Sequence, residues 1–120
     1  MAKWQTTRLS DLRFFVGAQK QTLTPAIAEG AHLSSGYVLM APGHHSSPHL
    51  HPKYDIIVTV LEGNVLSLLG DDLEDAVPHK PGDSILIRAG VPHAGVNLSS
   101  RHRVALVECR ADPFFNEDVE

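Results

Sequence analysis

The sequence predicts an all-β domain, a sandwich or barrel of short strands, and three observations carry that prediction. Nine glycines and eight prolines punctuate the chain, often enough to close each extended run after a handful of residues. Between them lie at least five runs with the apolar periodicity of strands. No stretch carries a convincing apolar stripe of an amphipathic helix.

Taken in order, residues 1–34 are expected to form an N-terminal arm with the first strands. Within it "LSDLRFF" (9–15) predicts a single turn of helix with Ser10 as its N-cap. "SGYVLMA" (35–41) is a strand ended by Pro42 and Gly43. "DIIVTVLEG" (55–63) is a strong strand with apolar residues on both faces, so something must cover it twice. In so small a chain the second cover is expected to be another subunit, which makes the protein a homodimer. "NVLSLLG" (64–70) follows at once, so "EGN" is expected to be a hairpin turn. "DDLEDAVPHK" (71–80) is a polar connection with a short strand through Ala76 and Val77. "DSILIR" (83–88) and "RVALVEC" (103–109) complete the set. Residues 35–112 are then the barrel core and 113–120 a C-terminal tail. A chain of 120 residues encloses one core, so this is a single domain.

Composition excludes several function classes. With 42% hydrophobic and 20% charged residues the chain has a globular balance. A net charge of -4 and scattered Lys and Arg argue against nucleic acid, which requires a clustered basic surface. No apolar run is long enough to span a membrane, so no membrane partner is expected. The single cysteine, Cys109, forbids an intrachain disulfide, and with no secretory leader in "MAKWQTTRLSDLRFF" this points to the cytoplasm. There is no Gly-rich phosphate loop, Ser-His-Asp elbow or CxxC pair.

Histidine is the departure, with eight in the chain and four between residues 44 and 51. His49 and His51 are separated by one residue, so in an extended segment both imidazoles point to one face while Leu50 points away. Asp55 falls on the same parity if the chain stays extended through Pro52. A third histidine, His93, follows the strand 83–88 and the tight "AGVP" turn, placed to converge on the pair. Three imidazoles and a carboxylate suit a divalent transition metal: Fe(II), Mn, Ni, Cu or Zn. His44 and His45 precede the pair in a loop, where His45 could line the pocket mouth or shuttle a proton. Tyr54, flanking the ligands, could enter the pocket. His32, His79 and His102 are expected at the surface. Cys109 carries no sign of nucleophilic chemistry.

These residues resemble the two motifs of the cupin family. The first runs Gly, five residues, His-x-His, three or four residues, an acid, six residues, Gly, and here reads "GHHSSPHLHPKYDIIVTVLEG" with Gly43, His49, His51, Asp55 and Gly63. The second reads "GDSILIRAGVPHAGVN" with Gly82, Gly90, His93 and Asn97 in register. The resemblance implies a small jelly-roll (cupin) β-barrel with a metal held by His49, His51, Asp55 and His93, and further segments are similar to small single-domain bacterial cupins. Two positions depart from the pattern. Arg88 replaces a proline and places a cation at the barrel mouth, where it favours an anionic substrate. The acid is Asp rather than Glu and, counted back from Gly63, the usual position is Ile56. Asp55 is therefore either a fourth ligand or a hydrogen-bond acceptor just outside the ligands.

Three functions follow. The foremost is an Fe(II)-dependent dioxygenase-type oxidoreductase acting on a small molecule, with anions among the candidates and with Arg88, His45 and Tyr54 as candidate catalytic residues. The alternatives are a non-redox metal-dependent isomerase, decarboxylase or lyase, and a non-enzymatic cupin that binds or senses a small molecule.

Overall fold

The computed structural model describes residues 3, 5–8, 10, 12–13, 15–16, 22–27 and 32–112. Among them are nine strands and no α-helix: β1 Phe15–Val16, β2 Thr22–Ile27, β3 Ser34–Met40, β4 Ile56–Glu62, β5 Val65–Leu69, β6 Asp75–His79, β7 Ser84–Ile87, β8 His93–Val96 and β9 Val104–Arg110. They form two antiparallel sheets, one in the order β1-β2-β3-β9-β4-β7 and one in the order β6-β5-β8. Both sheets contribute to one core of Val38, Met40, Val60, Val65, Val104 and Leu106. The result is the expected all-β jelly-roll barrel. Of the helical turn expected over 9–15, residues 10, 12, 13 and 15 are described, and they show no α-helix, with Phe15 already in β1; the tail 113–120 lies outside the described residues.

Alternation builds the barrel. Along β3 every second residue is buried, and β9 buries Val104, Leu106, Glu108 and Arg110 on the same parity. Each buried aliphatic side chain contributes roughly 1.5–3 kcal/mol relative to exposure. The inner face of β9 thus changes character along its length, from apolar at Val104 to charged at Arg110.

One local expectation needs correction. "EGN" is not a hairpin turn, because β4 pairs with β7 and β9 while β5 pairs with β6 and β8. The turn is a corner that carries the chain from one sheet to the other. Gly63 sits there at φ +78°, and a Cβ on it would approach the Arg103 carbonyl oxygen to 2.5 Å. Turn residues signal a change of direction but do not choose the pairing partner. His93, following its turn as expected, opens β8 opposite Leu69 of β5.

The double cover of β4 is met on one side. Ile56 and Val60 are buried inward, while Ile57 and Leu61 on the outer face are 46% and 50% exposed. Leu86 of the neighbouring β7 is also exposed, so the outer face carries an apolar patch.

Candidate metal centre

Backbone pairing brings the three histidines together before their side chains are considered. The N–H of His49 donates to the carbonyl of His93 at 3.0 Å, and the N–H of His93 to that of His49 at 2.8 Å. A reciprocal pair of this kind puts both side chains on one face. His51, two residues on from His49, shares that face, and its carbonyl accepts from Gly90 N–H at 2.8 Å. Gly90 adopts φ +82°, a left-handed conformation that suits glycine and closes the turn ahead of His93. The ring centroids lie 4.4 Å (His49–His93), 5.4 Å (His49–His51) and 5.5 Å (His51–His93) apart. One donor atom from each ring lies within 4.8 Å of the others, so the three histidines are positioned to bind a metal ion.

Protonation states suit that role. Nδ1–H of His49 donates to the Ser47 carbonyl at 2.8 Å and Nδ1–H of His93 to the Val91 carbonyl at 2.9 Å. These bonds fix the tautomer and reserve Nε2 of both rings as the lone-pair nitrogen. Burial pushes the His49 pKa below its ordinary value, with the Ser47 carbonyl opposing. Burial likewise pushes His93 down to about 4, where the Val91 carbonyl opposes and the neighbouring His49 and His51 add to the fall. At neutral pH both rings are neutral, as metal ligation requires.

Asp55 is not part of this donor set. It is exposed, and its Oδ1 accepts the Ala89 N–H at 2.8 Å. Together with the Gly90–His51 bond, this carboxylate pins the turn 88–91 that delivers His93. Arg88 and His45 are exposed, and the Nδ1 of His45 bonds the Ser46 carbonyl at 3.0 Å. Tyr54 is half-buried. None of these three lines the cavity beside the histidines.

What lines it instead is Glu108. The cavity has a volume of about 40 Å³ and is bounded by His49, His93, Glu108, Ser46 and the inner apolar residues of β4, β7 and β9. Glu108 is 6% exposed and Arg110, two residues on along β9, is 5% exposed. Arg110 donates to Glu108 Oε2 from Nε at 3.1 Å and also from Nη2. Burial pushes the Glu108 carboxyl up, but the Arg110 guanidinium beside it and the nearby His51 and His49 more than offset that. The net shift is downward, so the carboxylate is ionised. At the far end of the second motif Asn97 is fully buried, and its Nδ2 donates to Met40, Ala41 and His102 carbonyls at 3.2, 3.2 and 2.8 Å. It ties β8 to the end of β3.

The family model for the cupin domain (Cupin_2) matches residues 36–108, more than half of the chain. The chain belongs to the cupin family. Solved structures agree on the fold. This cupin is similar to KdgF from Halomonas sp., with a TM-score of 0.79 at 15% identity over 96% of this chain and 98% of that one. It is similar to the polyketide cyclase RemF from Streptomyces resistomycificus, at 0.76 and 20% over 96% and 89% of the two chains. It also resembles the oxalate decarboxylase of Lactobacillus farciminis in its formate complex, at 0.76 and 16%, covering 93% of this chain and 34% of that one. Among curated proteins, none matches the chain.

No motif in the sequence singles out Glu108 or Arg110, although "RVALVEC" and the Arg110 that follows it hold the signal. On the parity of Val104 and Leu106 the next two inward positions are Glu108 and Arg110. Two opposite charges on the core parity of a strand are expected to pair, because an isolated buried charge is too costly. Chemically, this cupin presents three imidazole donors for a metal among the described residues, and an ionised carboxylate on the wall of the same cavity.

Proposed function

We propose that this cupin is a metal-dependent enzyme that acts on a small anionic molecule and uses Glu108 to move a proton. The observation that carries the proposal is the buried, ionised Glu108 on the wall of the cavity it shares with His49 and His93. His49, His51 and His93 would hold a divalent transition metal, which when bound would supply Lewis-acid polarisation of a carbonyl or carboxylate. Arg110 engages Glu108 at Oε2, which keeps the group deprotonated and leaves Oε1 to take the proton. An anion entering beside Glu108 raises its proton affinity, because like charges disfavour each other's ionised forms. The cavity, about 40 Å³, limits the part of the substrate inside the barrel to a few heavy atoms. A similar fold in a protein named oxalate decarboxylase supports a small anion as the substrate class, as an analogy of fold.

The test is anaerobic turnover of a panel of small keto acids and dicarboxylic acids by protein loaded with Mn(II) or Zn(II). Glu108→Gln should keep the metal stoichiometry and lose about 10²–10⁴-fold in turnover. Equal turnover by the variant would remove Glu108 from the chemistry.

An Fe(II)-dependent dioxygenase-type oxidoreductase is the second reading, favoured by the three-donor set, which leaves positions for a bidentate substrate and O₂. Oxygen uptake by Fe(II)-loaded protein with catechols, enediols or thiols supports it, and uptake by none of them counts against it. If metal raises the melting temperature and no substrate turns over, a binding or sensing role gains instead. The exposed patch of Ile57, Leu61 and Leu86 supports a homodimer formed through the outer face of the larger sheet, which sedimentation equilibrium checks. The lone exposed Cys109 fits a reducing compartment, the cytoplasm.

A further inference from the structure

Alternate residues of β5, Val65, Ser67 and Leu69, share one face of the strand. Val65 belongs to the core, so that face is the inner one, and Ser67 interrupts its apolar stripe with a hydroxyl. Directly opposite Ser67 on β8 stands Gly95. Gly95 is two residues past His93, roughly 7 Å along the strand and on the same face. Both Ser67 and Gly95 line the cavity that His49, His93 and Glu108 bound.

The barrel itself requires neither residue. Gly95 has no positive φ, and a Cβ on it would meet nothing nearer than Met40 Cε at 3.6 Å, an ordinary contact. Neither backbone conformation nor crowding therefore calls for glycine at this position. Ser67 is half-buried, and its hydroxyl makes no hydrogen bond to any described residue. A pair of aliphatic side chains here would pack the interior, as cross-strand pairs ordinarily do. Two small residues facing each other keep the space open instead, with a hydroxyl at its edge. The other uncharged polar groups of the cavity are spent or out of reach. Ser46 is 1% exposed and its Oγ accepts the Gly95 N–H at 2.8 Å. Nε2 of His79, which β6 turns inward opposite Val65, is closed off by burial.

We propose that Ser67 and Gly95 form the floor of the substrate site, where Ser67 hydrogen-bonds a neutral oxygen of a short acid and Gly95 leaves room for the carbons that carry it. The inference rests on the reading of this cavity as the substrate site, and it narrows the small anions of that reading to short hydroxy or keto acids. The acid group lies at the histidines and the neutral oxygen at the floor. A second carboxylate does not fit there. Among the described residues no lysine or arginine lines the cavity, and one hydroxyl does not compensate a buried charge. A neutral oxygen suits Ser67, because its hydroxyl donates to a carbonyl and both donates to and accepts from another hydroxyl.

The experiment measures, by calorimetry, the binding of formate, butyrate and hydracrylate to the full chain loaded with Zn(II). Hydracrylate carries a terminal hydroxyl where butyrate carries a terminal methyl, so the two match in charge and nearly in shape. The unaltered chain should bind hydracrylate about three- to tenfold tighter than butyrate, the yield of one hydrogen bond. Ser67→Ala should bring the two within twofold of each other. Gly95→Ala, whose added methyl meets no close contact, should weaken both by about tenfold or more and leave formate within twofold. Equal binding of butyrate and hydracrylate by the unaltered chain, or a preference that survives Ser67→Ala, overturns the role of Ser67. An equal loss of all three acids in Gly95→Ala overturns that of Gly95. Where formate still binds, these results leave the cavity as the substrate site, whereas binding of none of the three acids removes that reading as well.

Discussion

Asp55 follows His51 by four residues, is exposed, and accepts a single backbone N–H. Glu108 comes 57 residues after His51 (108 − 51), is buried, and faces the cavity with Arg110 bound to it. The acid that is near the histidines in sequence serves the loop, and the acid that is near them in space serves the cavity. The difference lies in what each carboxylate is exchanged for on folding. Asp55 keeps its water and adds one hydrogen bond. Glu108 gives up its water, and only Arg110 makes that tolerable. Changes around Glu108 should therefore cost several kcal/mol, and changes around Asp55 about one.

The largest effect is expected from Arg110→Met, which leaves Glu108 buried without its counter-charge. A loss of roughly 3–5 kcal/mol is expected, measured by urea denaturation of metal-free protein. The double variant Glu108→Gln with Arg110→Met should recover much of that loss, because the penalty belongs to the unpaired charge. A double variant as unstable as the single one would mean that Arg110 acts through packing instead.

Acidification should give the next effect, through His93. Its folded pKa is depressed from 6.5 to about 4, so the unfolded chain takes up a proton first as the pH falls. The sign follows: this stability is present above pH 6.5 and is lost as the pH falls towards 4. The loss amounts to about 3 kcal/mol, at 1.36 kcal/mol per pKa unit. Glu108, whose folded pKa is also lowered, loses stability in the same direction at lower pH. Urea midpoints of metal-free protein at pH 7 and pH 4.5 test this. A flat profile between them would show that His93 is solvated, and His93→Gln should flatten the slope above pH 4.5.

The pattern of what was legible follows the same physical division. Strand parity is local, so the His49–His51 pair, the inward stripe of β3 and the register of His93 after its turn could be read from spacing. Pairing partners are not local. "EGN" gave a change of direction at Gly63 but no sign that β4 and β5 belong to different sheets. Glu108 was hidden because it is adjacent to Cys109 and far from every motif, although the alternation Val104, Leu106, Glu108, Arg110 exposed it to a reader counting parity. Arg88 attracted notice as an unusual residue inside a motif, yet the guanidinium at the centre is that of Arg110. His79 looked like one more polar residue in a polar connection until β6 turned it inward.

The smallest effect should come from Asp55→Asn, which separates the two roles the sequence left open for this residue. If Asp55 serves the turn, Asn still offers an oxygen to the Ala89 N–H, and stability should fall by under about 1 kcal/mol. Metal affinity should then fall no more than about tenfold, the low end for a partner that orients a ligand without touching the metal. Asp55→Ala removes the acceptor altogether and frees the turn that presents His93, so its metal affinity should be lower than that of Asn. Competition with a chelator of known affinity reads both values. A carboxylate that ligated the metal directly would give the other order: Asn and Ala would both lose the charged donor and both lose metal by far more than tenfold. The gap between the two substitutions, more than the size of either, decides whether Asp55 holds the loop or the ion.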